Sequence, residues 1–159
     1  MAGTNDQTLR EQLLALLQGG NAHMTFDQAV AEFPLDRINE RPPNVEYTIW
    51  HLVEHLRITQ WDILNFIVDP SHQSPDWPEG YWPARDATAS ATGWQHTLEA
   101  FRQDLSGLQD LARDEAQDLT ADFAHAPGYN LVRELLLAAD HNAYHIGELG
   151  ILRQVMNAW

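Results

Sequence analysis

The residues with the clearest chemical potential are His141 and His145, four positions apart in the stretch LLLAADHNAYHIGEL, residues 135–149. On a helix, positions i and i+4 share a face, with Cβ atoms roughly 5–6 Å apart. Two imidazoles at that spacing can turn nitrogens toward one ion without bending the backbone, which is why helical metal sites use it. The spacing equally suits two half-buried histidines that hydrogen-bond inside a helical core. Taken alone it favours that plainer reading, because histidine is commonly intermediate in burial. The neighbouring residues add to the chemistry. Glu134, Ala138, His141, His145, Glu148 and Leu152 fall on one face at the helical repeat. Two carboxylates and two imidazoles thus line a segment that is otherwise apolar, where unpaired polar groups are costly. A shared ligand or a satisfied network is expected.

Four long amphipathic segments must position these side chains. Thr4 or Asn5 can cap a first helix with Leu9, Leu13, Leu16 and Leu17 as its apolar stripe, ended by Gly19-Gly20. Residues 23–33 predict a short helix capped by Thr25, with Phe26, Ala29, Val30 and Phe33 inward and Pro34 as its stop. Residues 35–47 are turn-rich. A second long helix is expected over 48–68, capped by Thr48, with Ile49, Leu52, Val53, Leu56, Ile63 and Ile67 in one sector. On that wheel His55 lies at the edge of the apolar sector and His51 further round, toward solvent. Ser90 caps a third long helix from 91 to about 116. Asn130 caps the last, from 131 to about 156, whose apolar residues occur almost all round and predict the central, most buried helix.

Two connections are long. Residues 69–89 hold Pro70, Pro75, Pro78, Pro83 and Gly80 together with Trp77, Tyr81 and Trp82. Each such aromatic offers about 150–250 Å² for burial, so the segment reads as an ordered loop folded over helix ends, either roofing a pocket or pinning itself to the core. Residues 117–129 form the other connection, with Pro127-Gly128 as its turn. His23, His72 and His125 lie in or near loops and read as surface residues. His96 has no partner pattern.

Together these segments predict an all-α fold, a four-helix bundle in one domain spanning residues 1–159, with long irregular connections. Metal sites in bundles are built from side chains on facing helices, which gives His55 a way to meet His141 and His145. Three neutral imidazoles plus solvent would make an open site for a divalent ion such as Zn, Ni or Fe. Composition narrows the partners. The 159 residues carry 23 acidic side chains against 9 basic ones, all arginine, for a formal net charge of −14. Such a surface disfavours nucleic acid and anionic lipid. The chain has no cysteine, hence no disulfide or thiolate ligand. With no signal-like N-terminus in MAGTNDQT and no apolar run of about 18–20 residues, a cytoplasmic protein is expected. No GxSxG, P-loop or glycine-rich nucleotide fingerprint is present.

The stretches TIWHLVEHLRITQWDIL and LLLAADHNAYHIGELGILRQ together resemble the DinB/YfiT-like superfamily of four-helix-bundle proteins, and the resemblance covers nearly the whole chain. The aromatic segment WPEGYWP is similar to a loop found in one branch of that superfamily. The resemblance implies a divalent metal on His55, His141 and His145. It also implies a homodimer through helix faces, for which Trp50 and Trp61 could supply contacts. The activities it implies act on a small molecule, either thiol-dependent transfer or metal-dependent hydrolysis. For hydrolysis, Glu148 is the in-row candidate general base, with Glu134 and Glu54 behind it. Salt bridges to arginine or a hydrogen bond to a ligand histidine are the plainer roles for all three. Two further readings stand beside the enzyme: a non-catalytic metal or small-ligand binding protein, and a helical scaffold with core histidines.

Overall fold

The computed structural model describes residues 3–159, without the Thr4 side chain. Four main helices carry it: α1 (Thr4–Gln18), α3 (Ile49–Val68), α4 (Ala91–Arg113) and α5 (Leu131–Val155), with a single short helix α2 (Phe26–Val30) after α1. Helix α3 packs against α4 and α5, and α1 packs against the same two, which closes a four-helix bundle. The connections are irregular, apart from short 3₁₀ turns at Leu35–Arg37 and Glu79–Tyr81 and a small hairpin. No helix among the described residues is long and apolar enough to cross a membrane.

Local chemistry starts the helices where the sequence expects for α2 to α5. Thr25, Thr48, Ser90 and Asn130 each accept a hydrogen bond from the backbone N–H three residues on. The first helix differs: Gly3 occupies its cap position, so Asn5 lies inside the helix, and the Thr4 hydroxyl lies outside the described residues. Of its leucines only Leu13 and Leu17 are buried, while Leu9 and Leu16 are exposed.

Two helices end earlier than their patterns predict, for the same physical reason. The Arg153 guanidinium donates to the carbonyls of Ala29 and Ala31, which stops α2 at Val30 rather than at 33. The Arg10 guanidinium donates to the carbonyls of Ala112, Asp114 and Gln117, and α4 stops at Arg113 rather than near 116. In both cases an arginine from a distant helix satisfies the last-turn carbonyls that water or a cap would otherwise serve.

The core runs the length of the bundle. At one end Ile49, Leu52, Leu56, Phe101 and Leu149 pack with α2, where Phe26 stacks on Phe101 at 3.9 Å. At the other, Leu13, Leu108, Leu131 and Leu135 meet. The 117–129 connection contains strands β1 (Asp122–Phe123) and β2 (Ala126–Asn130), an unexpected antiparallel pair. Pro127-Gly128 lies within β2 instead of making the turn: Gly128, at φ +88°, donates its N–H to Asp122. Helix α5 also departs from expectation. It is not buried all round, because Leu136, Leu137, Tyr144, Ile151 and Val155 are exposed along one side.

Candidate metal centre

Helices α3 and α5 lie side by side, and their contact brings His55 to His141 and His145. One nitrogen from each ring lies within 4.8 Å of the other two. His55 Nε2 is 3.2 Å from His145 Nε2 and 3.0 Å from His141 Nε2. The three histidines therefore form a cluster able to coordinate a metal ion, built as the sequence predicts from two facing helices.

The outer nitrogens fix where the protons are. His55 Nδ1 is 2.8 Å from the Tyr81 carbonyl, which can only accept, so Nδ1 carries the hydrogen and Nε2 is a bare lone pair. His145 Nδ1 is 2.7 Å from Glu148 Oε2, and the same reasoning leaves its Nε2 bare. With both rings neutral, two lone pairs therefore face each other at 3.2 Å. Protonating His55 or His141 is disfavoured. Burial holds the His55 imidazole below its ordinary value against the pull of the Tyr81 carbonyl, and burial with the neighbouring rings takes His141 down to about 3. A cation between the nitrogens would satisfy them: four-coordinate zinc at bonds of about 2.0–2.1 Å separates its ligands by roughly 3.3 Å. The donor set fits a divalent ion. His141 Nδ1 is buried and, among the described residues, has no hydrogen-bond partner.

Aromatic and acidic groups surround the cluster. Trp82 stacks on His55 with centroids 4.0 Å apart and planes within 3°, and Tyr47 packs on Trp82. Tyr47 donates its hydroxyl proton to Glu148 Oε1. Burial pushes the Glu148 carboxyl up, but the bonds from His145 and Tyr47 outweigh it and hold the group below its ordinary value. Burial, then Glu148, drives the Tyr47 phenol up, so it keeps its proton. The cluster is mostly enclosed: the His145 side chain is 13% exposed and Glu148 26%.

Several predicted placements need correction. His51 is not turned to solvent but is 2% exposed, its Nδ1 accepting from the Thr48 N–H and its Nε2 donating to the Ala87 carbonyl. The 69–89 loop covers the face that a helical wheel assigns to water. Within that loop Trp82 roofs the cluster, whereas Trp77 is 76% exposed and does not. His72 is not a surface residue: its side chain is almost buried against Asp62. His23 is half-buried beside the Met24 carbonyl, and His125 is exposed as expected. Trp50 turns inward and donates to Thr97, leaving Trp61 as the exposed tryptophan of α3. Glu134 is buried and paired with Arg133, and Glu54 pairs with Arg57 and accepts from Thr97.

Tyr47 and the Tyr81 carbonyl were not legible as parts of the site. A backbone oxygen has no sequence signal, and Tyr47 gave only its place beside the Thr48 cap.

Neither a curated protein nor a solved structure matches the chain. A family model described as the DinB superfamily matches residues 8–149, a span that begins in α1 and includes all three histidines. With the helical bundle and the His55–His141–His145 cluster in place, that match over most of its length means that the chain belongs to the DinB superfamily.

Proposed function

We propose that the protein binds one divalent metal ion, of the Zn, Ni or Fe type, through His55, His141 and His145, and uses it on a small-molecule substrate in thiol transfer or hydrolysis. The observation that carries this reading is the convergence of three imidazole nitrogens from two helices, His55 Nε2 lying 3.2 Å from His145 Nε2 and 3.0 Å from His141 Nε2. When bound, such an ion supplies Lewis acidity toward a thiol or water. The chain's own residues do the rest. Tyr81 and Glu148 fix the tautomers of His55 and His145, and Trp82 covers one face of His55. Glu148 touches the cluster and reaches solvent, so it is the side chain we assign to proton transfer, released from Tyr47 when it acts. A net charge of −14 argues against nucleic acid and anionic membrane surfaces as partners, and membership of the superfamily supports a cytoplasmic homodimer.

The test is elemental analysis of untagged protein purified without added metal, beside the His141→Ala/His145→Ala variant. About one equivalent in the wild type and none in a still-folded variant is expected. No metal in either, with reconstitution failing, would leave a bundle with core histidines. A loaded protein inactive with thiol and ester probes would instead be a non-catalytic binder.

A further inference from the structure

The 69–89 loop is anchored away from the cluster by a buried group that metal ligation does not use. Asp62 lies on α3 two turns beyond His55, and its residue is 7% exposed. Its Oδ2 accepts the Tyr81 hydroxyl proton at 2.7 Å, and its Oδ1 is 2.7 Å from His72 Nε2. One carboxylate therefore ties down two points of the same loop, Tyr81 in its second half and His72 near its start. Burial and the Asp62 contact raise the Tyr81 phenol to about 12, so the hydroxyl stays a donor. The backbone carbonyl of the tied residue, Tyr81, is the group that accepts from His55 Nδ1. Next to it, Trp82 stacks on the His55 ring.

We propose that Asp62 is a positioning residue for His55: by holding Tyr81 and His72 it fixes the loop whose Tyr81 carbonyl sets the His55 tautomer, and so sets metal affinity. The proposal rests on the metal-site reading for its affinity consequence, but its structural step belongs to the metal-free protein. Without Asp62 the Tyr81 hydroxyl and the His72 ring lose their partner, and the loop loses its attachment to the middle of α3. Beyond Tyr81 the loop is also held by Trp82 against His55 and Tyr47 and by bonds from Arg41 to Arg85, His51 to Ala87 and Asn39 to Ala89. None of these reaches the Tyr81 hydroxyl, which Asp62 holds. The His55 ring is then free to adopt its other tautomer or turn, and Nε2 no longer stays committed to the cluster. Groups one hydrogen bond outside a metal ligand typically change affinity about 10- to 100-fold. Asp62 acts one bond further out, so about tenfold is expected.

The experiment compares full-length wild type, Asp62→Ala and Tyr81→Phe, the last keeping the carbonyl and losing only the hydroxyl. Zinc affinity is read by competition with a chromogenic chelator, and the His55 ring N–H proton by NMR on metal-free protein. Both variants should bind zinc about tenfold more weakly and lose the protected His55 N–H signal, while their metal-free unfolding stays cooperative. Unchanged affinity and an unchanged signal in Tyr81→Phe would overturn the proposal, even if Asp62→Ala fails to fold. If the wild type binds no zinc, the metal reading fails separately. The His55 signal then decides: its persistence in the variants overturns the anchoring role, and its loss supports it.

Discussion

At the scale of single residues, the response to acid follows from where His141 sits. Its imidazole is lowered from the ordinary 6.5 to about 3, first by burial and then by its two neighbouring rings. A histidine depressed on folding takes up its proton more readily in the unfolded chain. Its contribution to stability is therefore complete above pH 6.5 and is lost progressively as the pH falls toward 3. Metal-free protein should show a falling unfolding midpoint across that window, and His141→Asn should flatten the fall. A midpoint as steep in His141→Asn as in the wild type would remove His141 as the cause. Metal follows the same logic with a displaced onset. Protons compete for imidazole, yet His55 and His141 are both lowered, so zinc release should begin below the ordinary histidine range. Zinc affinity flat from neutral pH to 4 would contradict ligation by three histidines.

At the scale of elements, the start of α3 separates the two histidines of that helix. Thr48 and His51 form a reciprocal cap, and the far side of the His51 ring holds the loop at Ala87. His51→Ala strands a buried backbone donor and a loop carbonyl, which should cost about 2 kcal/mol of stability. Metal content should nonetheless stay near one equivalent, whereas His55→Ala should abolish it. Equal loss of metal in the two variants would mean that the cap, not the ligand, controls the site. The same helix marks how far the sequence could be read. Its 48–68 span, its Thr48 cap and its apolar sector follow from spacing and capping chemistry alone, whereas the choice of His55 over His51 rests on the family resemblance and on a wheel that wrongly turns His51 to solvent. The burial of His51 does not follow, because a wheel treats every polar sector as wet and cannot see a loop arriving from residues 69–89. Helix ends were least legible where an arginine far away in sequence supplies the final hydrogen bonds, as Arg10 and Arg153 do. The pairing of His141 with His145 was readable because helical geometry places them on one face, and His55 joined them through the family resemblance. Their outer partners, a backbone carbonyl and a tyrosine from separate loops, depend on tertiary contact.

At the scale of the whole molecule, two surface properties oppose each other. The chain carries a formal net charge of −14, which keeps copies apart. Yet α5 exposes an apolar side whose Leu136, Ile151 and Val155 are 43%, 63% and 50% accessible. The near-continuous hydrophobicity that predicted a fully buried helix thus resolves into one face for the core and one face without a partner in the single chain. Apolar exposure along one side of a helix can mark an interface, and here the proposed homodimer supplies its occupant. Because two acidic surfaces must approach, association should strengthen as salt screens them over a Debye length of about 10 Å at 0.1 M. Sedimentation of the wild type should therefore give twice the 18.1 kDa chain mass, with the dimer fraction rising as salt is added. Ile151→Asp/Val155→Asp should return the mass to one chain at every salt concentration and keep its metal, since neither residue touches the histidine cluster. A wild type that sediments as one chain even at high salt would discard the dimer. It would leave the α5 face to a partner other than a second copy.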